Sequence, residues 1–566
     1  MPTATSQLVP EPTKRNALAR CWPELLCAIL FGAWWFAAPA YRTLTEPDEG
    51  RYAEIPREML TSGDWIVPHL NGIQYLEKPP LQFWATAAAY KALGITNFNS
   101  RLWSVGLGFL GLWIIYAIGR VQFGLAAGRY AALIAASSPL YVFIAQVNVL
   151  DMGLAFFLTC ALGSFLQAQR QRQQPHWMWL CWCALALGFL QKGLVALALP
   201  ALALLIFSLV QRDLALWRRL HLLAGLLIFS VVTLPWLLLM TQHSPEFLEF
   251  FFVHEHLMRF ATTVHDRVQP WWFFIAISLV GTLPWWTAIG VGVREACKQS
   301  TNATTFATER FMLIWAITIV AFFSMSASKL APYIVPVVAP LALLAGAELA
   351  RRAIHVGGWR HLLPAWLIAA SAAATPWWLP ALQSTRIRHE SYTVFSHWLA
   401  AAGVLIALAA ATAFALARSR AVEKQMVAVA ALSFGLCSGL TVISCGTNSL
   451  EMVRGGPSIG AAFAPFMRDD TPLYCVGTYP QTLIFALRRT CVLVQYYGEL
   501  NPKLAGGAAH WLPSLEQFTA RWSQQPNAVA MLNPIYFERL RALGVPLQAI
   551  ARDEVIVLAI HPRVRN

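Results

Sequence analysis

The sequence predicts an α-helical membrane protein of about thirteen transmembrane helices that ends in a small α/β domain. Of its 566 residues, 57% are hydrophobic and only 12% are charged, whereas about a quarter are charged in an ordinary globular protein. A soluble core cannot bury so much apolar surface, so this composition excludes a soluble fold, a disordered chain and a nucleic-acid partner. The net charge of +14 therefore bears first on orientation in a bilayer.

Thirteen apolar segments are long enough to cross a membrane, which takes about 20 residues. They lie within residues 1–445, at 22–41, 101–119, 129–147, 152–169, 175–190, 193–210, 220–241, 271–293, 311–327, 332–350, 361–380, 392–417 and 425–445. A further apolar stretch, Leu81–Leu93, is short and contains Lys91. We therefore expect an interfacial or re-entrant helix there, inside a long first loop at 43–100 with juxtamembrane helices.

The distribution of Lys and Arg predicts the orientation. With thirteen spans, the basic residues of the short loops collect on one side of the membrane, beginning with Lys14 and Arg15. A fourteenth span at 81–93 would place most of them on the opposite side. Because positive loops stay in the cytoplasm, we expect a cytoplasmic N-terminus and a C-terminal domain on the outer face.

Residues 446–566 have a different pattern, in which short apolar runs alternate with helical stretches. The predicted strands are Leu473–Val476, Cys491–Tyr497, Ala528–Leu532 and Glu554–Ile560, and the predicted helices lie near 459–467, 481–488 and 536–543. This alternation is typical of a small α/β domain. Cys475 and Cys491 both lie in it, and a disulfide between them is permitted but not fixed by the sequence.

The first loop begins with an acidic cluster, Leu44-Thr-Glu-Pro-Asp-Glu-Gly-Arg-Tyr-Ala-Glu-Ile-Pro. Thr45 with Asp48 resembles a capping box and Pro47 suits a first helical turn. Pro56 should then stop or bend the helix. Arg51 and Tyr52 would share the face of Asp48, and Glu49 lies beside it. These residues form either a catalytic cluster or a salt-bridged helix on the membrane surface.

A second cluster, Tyr75-Leu-Glu-Lys-Pro-Pro-Leu-Gln-Phe-Trp, places Lys78 just before a helix that two prolines open. A lysine at a helix N-terminus suits a phosphate, although a lysine can also extend to the lipid headgroups. Other polar residues recur in the outer loops, where ionisable groups near a membrane indicate function. They are Asn148, Asp151, Gln191, Lys192, His254, Glu255, His256, Arg259, His265, Lys329 and Tyr333.

Together these loops predict one polar cavity at the outer membrane boundary, rich in cations and with a few carboxylates. Such a cavity suits a phosphate-bearing ligand together with an acid, a base or a sugar-orienting group. Glu77, His256 and His265 could bind an optional divalent metal, but a His-x-His spacing is common by chance. The sequence has no Gly-x-x-x-x-Gly-Lys-Ser/Thr loop, so nucleotide hydrolysis of that type is not expected.

Glu46-Pro-Asp-Glu-Gly-Arg-Tyr-Ala-Glu resembles the acidic first-loop motif of the GT-C membrane glycosyltransferases. The resemblance is closest to the lipid A 4-amino-4-deoxy-L-arabinose transferases, which usually have Ala where this chain has Gly50. Four more motifs resemble the pattern of that family in its order: Glu77-Lys-Pro-Pro-Leu, Gln191-Lys-Gly, Glu255-His-Leu-Met-Arg-Phe and Ser328-Lys-Leu-Ala-Pro-Tyr. Residues 446–566 carry no such signature.

The resemblance implies a GT-C fold with thirteen spans and an outer C-terminal domain, in the bacterial inner membrane. It implies that the enzyme moves the aminosugar from undecaprenyl phosphate to a lipid A phosphate of a lipopolysaccharide precursor, on the periplasmic face. This transfer lowers polymyxin binding. Apart from the lipid carrier no cofactor would be required, and direct attack at the anomeric carbon would invert its configuration.

The resemblance also implies roles for individual residues. Asp48 would be the principal catalytic carboxylate, with Glu49 and Asp151 as further candidates, and it would act either as a base or by orienting a substrate. Donor-phosphate binding would fall to a set of cations and tyrosines: Arg51, Tyr52, Tyr75, Lys78, Lys192, Arg259, Lys329 and Tyr333. Two alternatives remain: a GT-C transferase of another sugar, such as mannose, to protein or lipid, and a lipid or sugar transporter, which would often show paired halves.

Overall fold

The structure is a computed structural model. It describes residues 14–258, 268–299, 306–352, 359–382, 389–418, 421–453, 461–468, 470–496, 498, 500, 507–552 and 555–563.

A helix or a pair of helices lies at each of the thirteen apolar segments. In chain order they are Lys14–Tyr41, Asn97–Phe123, Leu125–Ser137 with Pro139–Ala145, Leu150–Arg170, His176–Lys192, Val195–Gln211, Leu222–His243, Phe273–Gly281 with Trp286–Lys298, Thr308–Met325, the 3₁₀ segment Ala331–Val337 with Val338–Arg352, Trp359–Ala373 with Thr375–Trp378, His389–Ala417 and Val422–Gly446.

Among the described residues, seven helices are long and apolar enough to span a membrane. Three bent helix pairs raise the number to ten, and Ile29–Tyr41 and Val195–Gln211 are shorter apolar helices. The chain is therefore a multi-pass α-helical membrane protein, as the composition predicts, while the count of thirteen spans stays a prediction. The sharp bend of 66° inside the third segment lies at Pro139, where the preceding Ser138 is extended because proline disfavours a helical conformation before it.

The first loop forms two short helices, Asp48–Ser62 and Leu81–Leu93, joined through a hairpin of strands β1 (His69–Leu70) and β2 (Ile73–Gln74). The second helix begins directly after Pro80 and is not among the candidate spans of the described chain; its interfacial or re-entrant position stays a prediction. Of the two outcomes expected at Pro56, a stop or a bend, the stop is wrong, because the first helix continues through this residue. Its residues from Glu49 to Met59 are buried, so tertiary packing outweighs the one hydrogen bond that proline removes.

The start of that helix is also capped differently from the prediction. The backbone N–H and the hydroxyl of Thr45 donate to Oε2 of Glu49 at 2.9 and 2.8 Å. The capping carboxylate is therefore Glu49 and not Asp48, whose side chain stays 40% exposed. The difference matters for the site, because it separates two neighbouring carboxylates into a structural one and an open one.

The C-terminal part contains a six-stranded sheet in the order β5-β4-β3-β6-β8-β7. Its strands are β3 (Leu473–Val476), β4 (Val492–Val494), β5 (Trp511–Leu512), β6 (Val529–Leu532), β7 (Gln548–Arg552) and β8 (Val557–Ile560). The strands β5, β4, β3 and β6 are parallel, β8 pairs antiparallel with β6, and β7 pairs antiparallel with β8. The helices that accompany it are Gln481–Leu487, Gly507–His510, Leu515–Gln524 and Pro534–Ala542. The predicted α/β domain is confirmed.

This sheet domain packs on the first loop through a shared hydrophobic core. Tyr52, Ile55 and Met59 of the first-loop helix are in one cluster with Leu483 and Ile484 of the domain. Polar contacts reinforce the packing, since Asn71 of the hairpin turn and the backbone of Cys491 bond each other reciprocally at 3.0 and 2.8 Å. The buried thiols of Cys475 and Cys491 are not joined by a disulfide.

Candidate active site

A cavity of about 380 Å³ lies where the first loop meets the membrane helices. The polar residues of its lining, called here the polar wall, are Asp48, Arg51, Tyr52, Glu77, Lys78, Asp151, Lys192, Glu255, His256, Ser326, Ser328 and Tyr333. The apolar residues of its lining are Val149, Leu150, Leu194, Val195, Ala198, Leu257, Phe322, Phe323, Leu330 and Pro332. The structure therefore brings together most of the polar residues that the sequence distributes over separate loops.

The first-loop helix contributes Asp48, Arg51 and Tyr52 from its first turns. Nη1 of Arg51 lies 3.6 Å from Oδ1 of Asp48, as the i,i+3 spacing predicts. The Arg51 side chain is nearly buried and lies 5.8 Å from the centre of the Tyr52 ring. Asp48 is thus an open carboxylate that a neighbouring guanidinium holds at the cavity wall.

Lys78 lies at the start of the second first-loop helix and is held by two carboxylates. Its Nζ donates to Oε2 of Glu255 at 2.8 Å and lies 3.6 Å from Oε2 of Glu77. The buried Tyr75 does not reach the cavity; its hydroxyl donates to Oε2 of Glu77 at 3.0 Å. Tyr75 therefore orients Glu77 and, through it, Lys78.

A second ion pair faces the cavity from the membrane helices. Nζ of Lys192 is bonded to Oδ1 of Asp151, and both side chains are largely buried. The same Nζ lies 4.6 Å from the centre of the Tyr333 ring, a cation–π contact that leaves part of the ammonium available to a ligand. Every cation on this wall thus has a carboxylate beside it and can exchange that partner for an anionic ligand.

His256 lines the cavity, but both of its ring nitrogens have backbone partners. Nδ1 is 2.6 Å from the carbonyl oxygen of Phe251, and Nε2 accepts the N–H of Leu194 at 3.1 Å. Among the described residues, no three His, Cys, Asp or Glu side chains come together as a metal site. The contacts of Glu77 and His256 therefore do not suit the metal site that the sequence predicts. The third predicted metal ligand, His265, lies outside the described residues. Arg259, a predicted phosphate-binding residue, also lies outside them.

Two further predicted site residues do not line the cavity. Nζ of Lys329 donates to the carbonyl oxygen of Ser326 at 2.6 Å, and the side chain is buried. Glu49 is fully buried on the other side of its helix, where Nε and Nη2 of Arg101 donate to its two oxygens at 2.6 and 2.8 Å. Burial raises the pKa of Glu49, but Arg101, Arg42 and the N–H of Asn148 together lower it to about 2.

Arg101 is a charged residue that the sequence-based site omits, and Glu255 is one that the sequence places among the outer-loop polar residues without assigning it a role. Arg101 is fully buried and also donates to the carbonyl oxygens of Pro39, Arg42 and Thr43, so it joins the end of the first membrane helix to the first loop. Its position at the outer end of an apolar span was a usable signal, because loop cations favour the inner side. For Glu255 the signal was a carboxylate inside the aromatic run Phe250-Phe-Phe-Val-His-Glu-His.

The arrangement suits an amphiphilic ligand with an anionic head. Arg51, Lys78 and Lys192 bring positive charge to the lining of the cavity, and aliphatic and phenylalanine side chains make up its apolar part. Cavities of this kind, largely apolar with a few convergent polar groups, are typical of small-molecule sites. The open carboxylate of Asp48 lies among the cations, where it can contact a group attached to the anion.

Two family models match the chain. The model of the dolichyl-phosphate-mannose-protein mannosyltransferases matches residues 21–251. The model of the aminoarabinose transferase C-terminal domain matches residues 459–560. The first match includes the first loop and the helices that carry Asp151 and Lys192, and the second includes most of the sheet domain.

The chain is also similar to individual proteins. It is 32% identical over 400 residues to an undecaprenyl phosphate-α-4-amino-4-deoxy-L-arabinose arabinosyl transferase of Sodalis glossinidius, which covers 68% of this chain and 71% of that protein. The match to the enzyme of the same name from Edwardsiella ictaluri is 33% identical and covers 59% of this chain and 62% of that protein. The chain thus spans under two thirds of the length of the latter relative.

Solved structures extend the similarity over nearly the whole chain. A crystal structure of ArnT from Cupriavidus metallidurans bound to undecaprenyl phosphate is 32% identical, with a TM-score of 0.88, and the match covers 96% of this chain and 99% of that one. The apo state of the same protein gives a TM-score of 0.86. On these similarities, the chain belongs to the family of undecaprenyl phosphate-α-4-amino-4-deoxy-L-arabinose arabinosyl transferases.

Proposed function

We propose that this protein transfers 4-amino-4-deoxy-L-arabinose from undecaprenyl phosphate to a phosphate of lipid A. The observation that carries the proposal is the cavity whose lining combines Asp48 and three cations, Arg51, Lys78 and Lys192, with apolar side chains. A polyprenyl phosphate needs both surfaces, one for its phosphate and one for its hydrocarbon tail. The names of the similar proteins support this donor.

The donor phosphate is held by the cations of the polar wall in this proposal. Lys78 and Arg51 exchange part of their carboxylate contacts for phosphate oxygens, and charge-assisted bonds of this kind are the strong ones. Tyr52 and Tyr333 lie beside Arg51 and Lys192 and supply further hydrogen-bond donors. These groups also stabilise the charge that develops on the phosphate as it leaves, which is the usual electrostatic contribution to catalysis.

The transfer is a single displacement at the anomeric carbon of the sugar. An oxygen of the acceptor phosphate forms the new bond to that carbon, the bond from that carbon to the donor phosphate oxygen breaks, and undecaprenyl phosphate leaves with the electron pair. Attack from the opposite face inverts the configuration. A phosphate monoester is already ionised near pH 7, so Asp48 need not remove a proton and instead orients the ammonium group of the sugar. Asp151, which is bonded to Lys192, is a second carboxylate of the cavity with the same role.

Residues that do not line the cavity have positioning roles in the proposal. Glu49 fixes the start of the helix that carries Asp48, and Tyr75 orients Glu77 beside Lys78. Lys329 fixes the backbone at Ser326, which lines the cavity. The proposed location is the bacterial inner membrane, with the N-terminus in the cytoplasm and the cavity and sheet domain in the periplasm, as the distribution of basic residues predicts.

Mass spectrometry of lipid A tests the proposal directly. Purified protein is incubated with undecaprenyl-phosphoryl aminoarabinose and lipid A, and we expect one aminopentose to be added to a phosphate. Asp48→Ala should abolish the product while the protein still folds. Asp213→Ala is the matched control, because Asp213 is also a partly exposed carboxylate with an arginine partner but lies away from the cavity. Unmodified lipid A with the wild-type protein would reject the proposed function.

The match of residues 21–251 to the mannosyltransferase model favours one alternative, transfer of mannose from a polyprenyl phosphate to protein. The match of the sheet domain to the aminoarabinose transferase model favours the lipid A reaction. The same assay distinguishes them when polyprenyl-phosphoryl mannose and an acceptor protein replace the two substrates. We expect no mannosyl product under conditions in which the aminosugar is transferred.

A further inference from the structure

We propose that a chain of hydrogen bonds among four buried polar residues, joined to the first of them through the backbone N–H of Asn148, positions the catalytic and binding residues of the cavity. The chain consists of Glu49, Asn148, Gln82 and Gln191, and we call it the amide chain. All four residues are fully buried, and none of them lines the cavity. The inference rests on the proposed transferase function and adds three positioning residues, Asn148, Gln82 and Gln191, to Glu49.

The bonds of the amide chain run in one direction. The backbone N–H of Asn148 donates to Oε1 of Glu49 at 2.8 Å, and Nε2 of Gln82 donates to Oδ1 of Asn148 at 2.7 Å. Nε2 of Gln191 then donates to Oε1 of Gln82 at 2.8 Å. At one end of the amide chain Arg101 donates to Glu49, and at the other end the indole N–H of Trp103 donates to Oε1 of Gln191.

Each residue of the amide chain lies close in sequence to a different residue of the cavity wall. Glu49 follows Asp48, and Gln191 precedes Lys192. Gln82 lies one helical turn after Lys78, and Asn148 lies three residues before Asp151. The chain therefore joins the four segments that carry these groups: the two first-loop helices and the ends of Leu150–Arg170 and His176–Lys192 that face them.

The side chain of Gln191 packs directly against Gly153, at a position where a larger residue would not fit. A Cβ atom on Gly153 would lie 2.3 Å from Nε2 of Gln191, the atom that donates to Gln82. Gly153 is two residues after Asp151 on the same helix. A larger residue there would push the Gln191 amide away from Gln82, so the close approach of the two helices and the amide chain depend on each other.

The energetics explain why such a chain fixes geometry. Loss of a buried hydrogen-bond partner is costly, so no segment can slide without breaking one of these bonds. Reaction rates depend steeply on such positions, since a shift of about 1 Å can cost roughly 100-fold. Buried hydrogen bonds in series make a network rigid, and three of them join these four residues; Nδ2 of Asn148 is the one amide nitrogen of the amide chain without a partner among the described residues. The ion pairs on the cavity wall, in contrast, must exchange partners when substrates bind.

The test compares Gln82→Leu and Gln191→Leu with Gln425→Leu. Gln425 is a matched control, because it is a buried glutamine that donates to a backbone carbonyl in another part of the membrane domain. We expect kcat of the first two variants to fall about 100-fold, with a much smaller change in the KM of the donor. The loss in the double variant should be smaller than the two single losses combined, because both substitutions break the bond between Gln191 and Gln82.

Hydrogen exchange provides a readout that does not need activity. Gln191→Leu should speed exchange of the Asn148 amide, which it does not contact, whereas Gln425→Leu should leave it unchanged. The inference is overturned if both amide-chain variants match Gln425→Leu in kcat and in exchange at Asn148. An inactive wild-type protein would instead reject the proposed function, and hydrogen exchange would still decide whether the amide chain couples the four segments.

Discussion

At the scale of single residues, Asp48 and Glu49 show how two neighbouring carboxylates acquire different roles. Successive residues of a helix point about 100° apart, so one side chain faces the cavity and the other faces Arg101. The sequence predicts both as catalytic candidates, because the partner that separates them is 52 residues away. Local spacing predicted the Asp48–Arg51 contact, whereas the Glu49–Arg101 pair required the tertiary structure.

Glu49→Gln should change the stability of the protein towards acid. The pKa of Glu49 is lowered to about 2 in the folded state from an ordinary value of 4.5. Its contribution to the free energy of unfolding is therefore complete above about pH 4.5 and is lost as the pH falls towards 2. The midpoint of thermal unfolding of the wild-type protein in detergent should fall as the pH is lowered over this range. The midpoint of the variant should fall less over the same range, because glutamine does not titrate. The variant should also be less stable at pH 7, because a buried arginine loses its partner.

Lys78→Ala and Lys329→Ala separate a cation on the cavity wall from one that lies behind it. Removal of Lys78 takes away the ammonium that pairs with Glu77 and Glu255, so that the two carboxylates would repel the donor phosphate. We expect binding of undecaprenyl phosphate to weaken by about 2 kcal/mol, roughly 30-fold. Lys329→Ala should weaken binding of undecaprenyl phosphate by the folded protein much less, because Lys329 does not line the cavity. Equal losses in a titration of the two purified variants would contradict this assignment.

At the scale of elements, hydropathy predicted the helices of the membrane domain, since each apolar segment coincides with a helix or a bent pair. Tertiary packing decided what hydropathy could not, such as the continuation of the helix through Pro56. In the sheet domain the runs at 473–476 and 529–532 predicted strands, but Trp511–Leu512 is too short for any periodicity. The helix Leu515–Gln524 was also not predicted, although Ser514 caps it.

Gly50→Ala should loosen the contact between the first-loop helix and the sheet domain. A Cβ atom on Gly50 would lie 2.5 Å from the backbone nitrogen of Thr482, so the two elements would have to move apart. We expect a loss of about 1–3 kcal/mol of stability, as for overpacking. Gly106→Ala is the control, because open space surrounds that helical glycine and alanine favours a helix. Thermal unfolding and limited proteolysis of the domain measure the difference, and equal behaviour would show that the contact is not tight.

At the scale of the whole molecule, the cavity is assembled from distant parts of the chain. Its wall combines residues 48–52 and 77–78 with residues near 151, 192, 255 and 333. The sheet domain lies on the opposite side of the first-loop helix, where Glu46 accepts the N–H of Thr482 at 2.6 Å. The domain therefore supports the cavity wall from behind without lining it, in the part of the chain that the structure describes.

The orientation of the whole molecule can be tested with an accessibility tag after Asn566. The distribution of basic residues predicts that the tag lies in the periplasm. An impermeant reagent should therefore label it in cells whose outer membrane alone is permeabilised. A tag after residue 172, in a predicted cytoplasmic loop, should be labelled only after the inner membrane is opened. The reverse pattern would reject the predicted topology.

The contact between Asn71 and Cys491 has a consequence for biogenesis. The two residues are separated by 420 positions, and ribosomes add about 5–20 residues per second. The hairpin that leads to Lys78 therefore waits about 20–80 s after its own synthesis before its partner strand exists. During that interval the newly inserted loop lacks its final core, so maturation of the cavity follows the completion of translation, and nascent chains released early would be inactive and exposed to proteases.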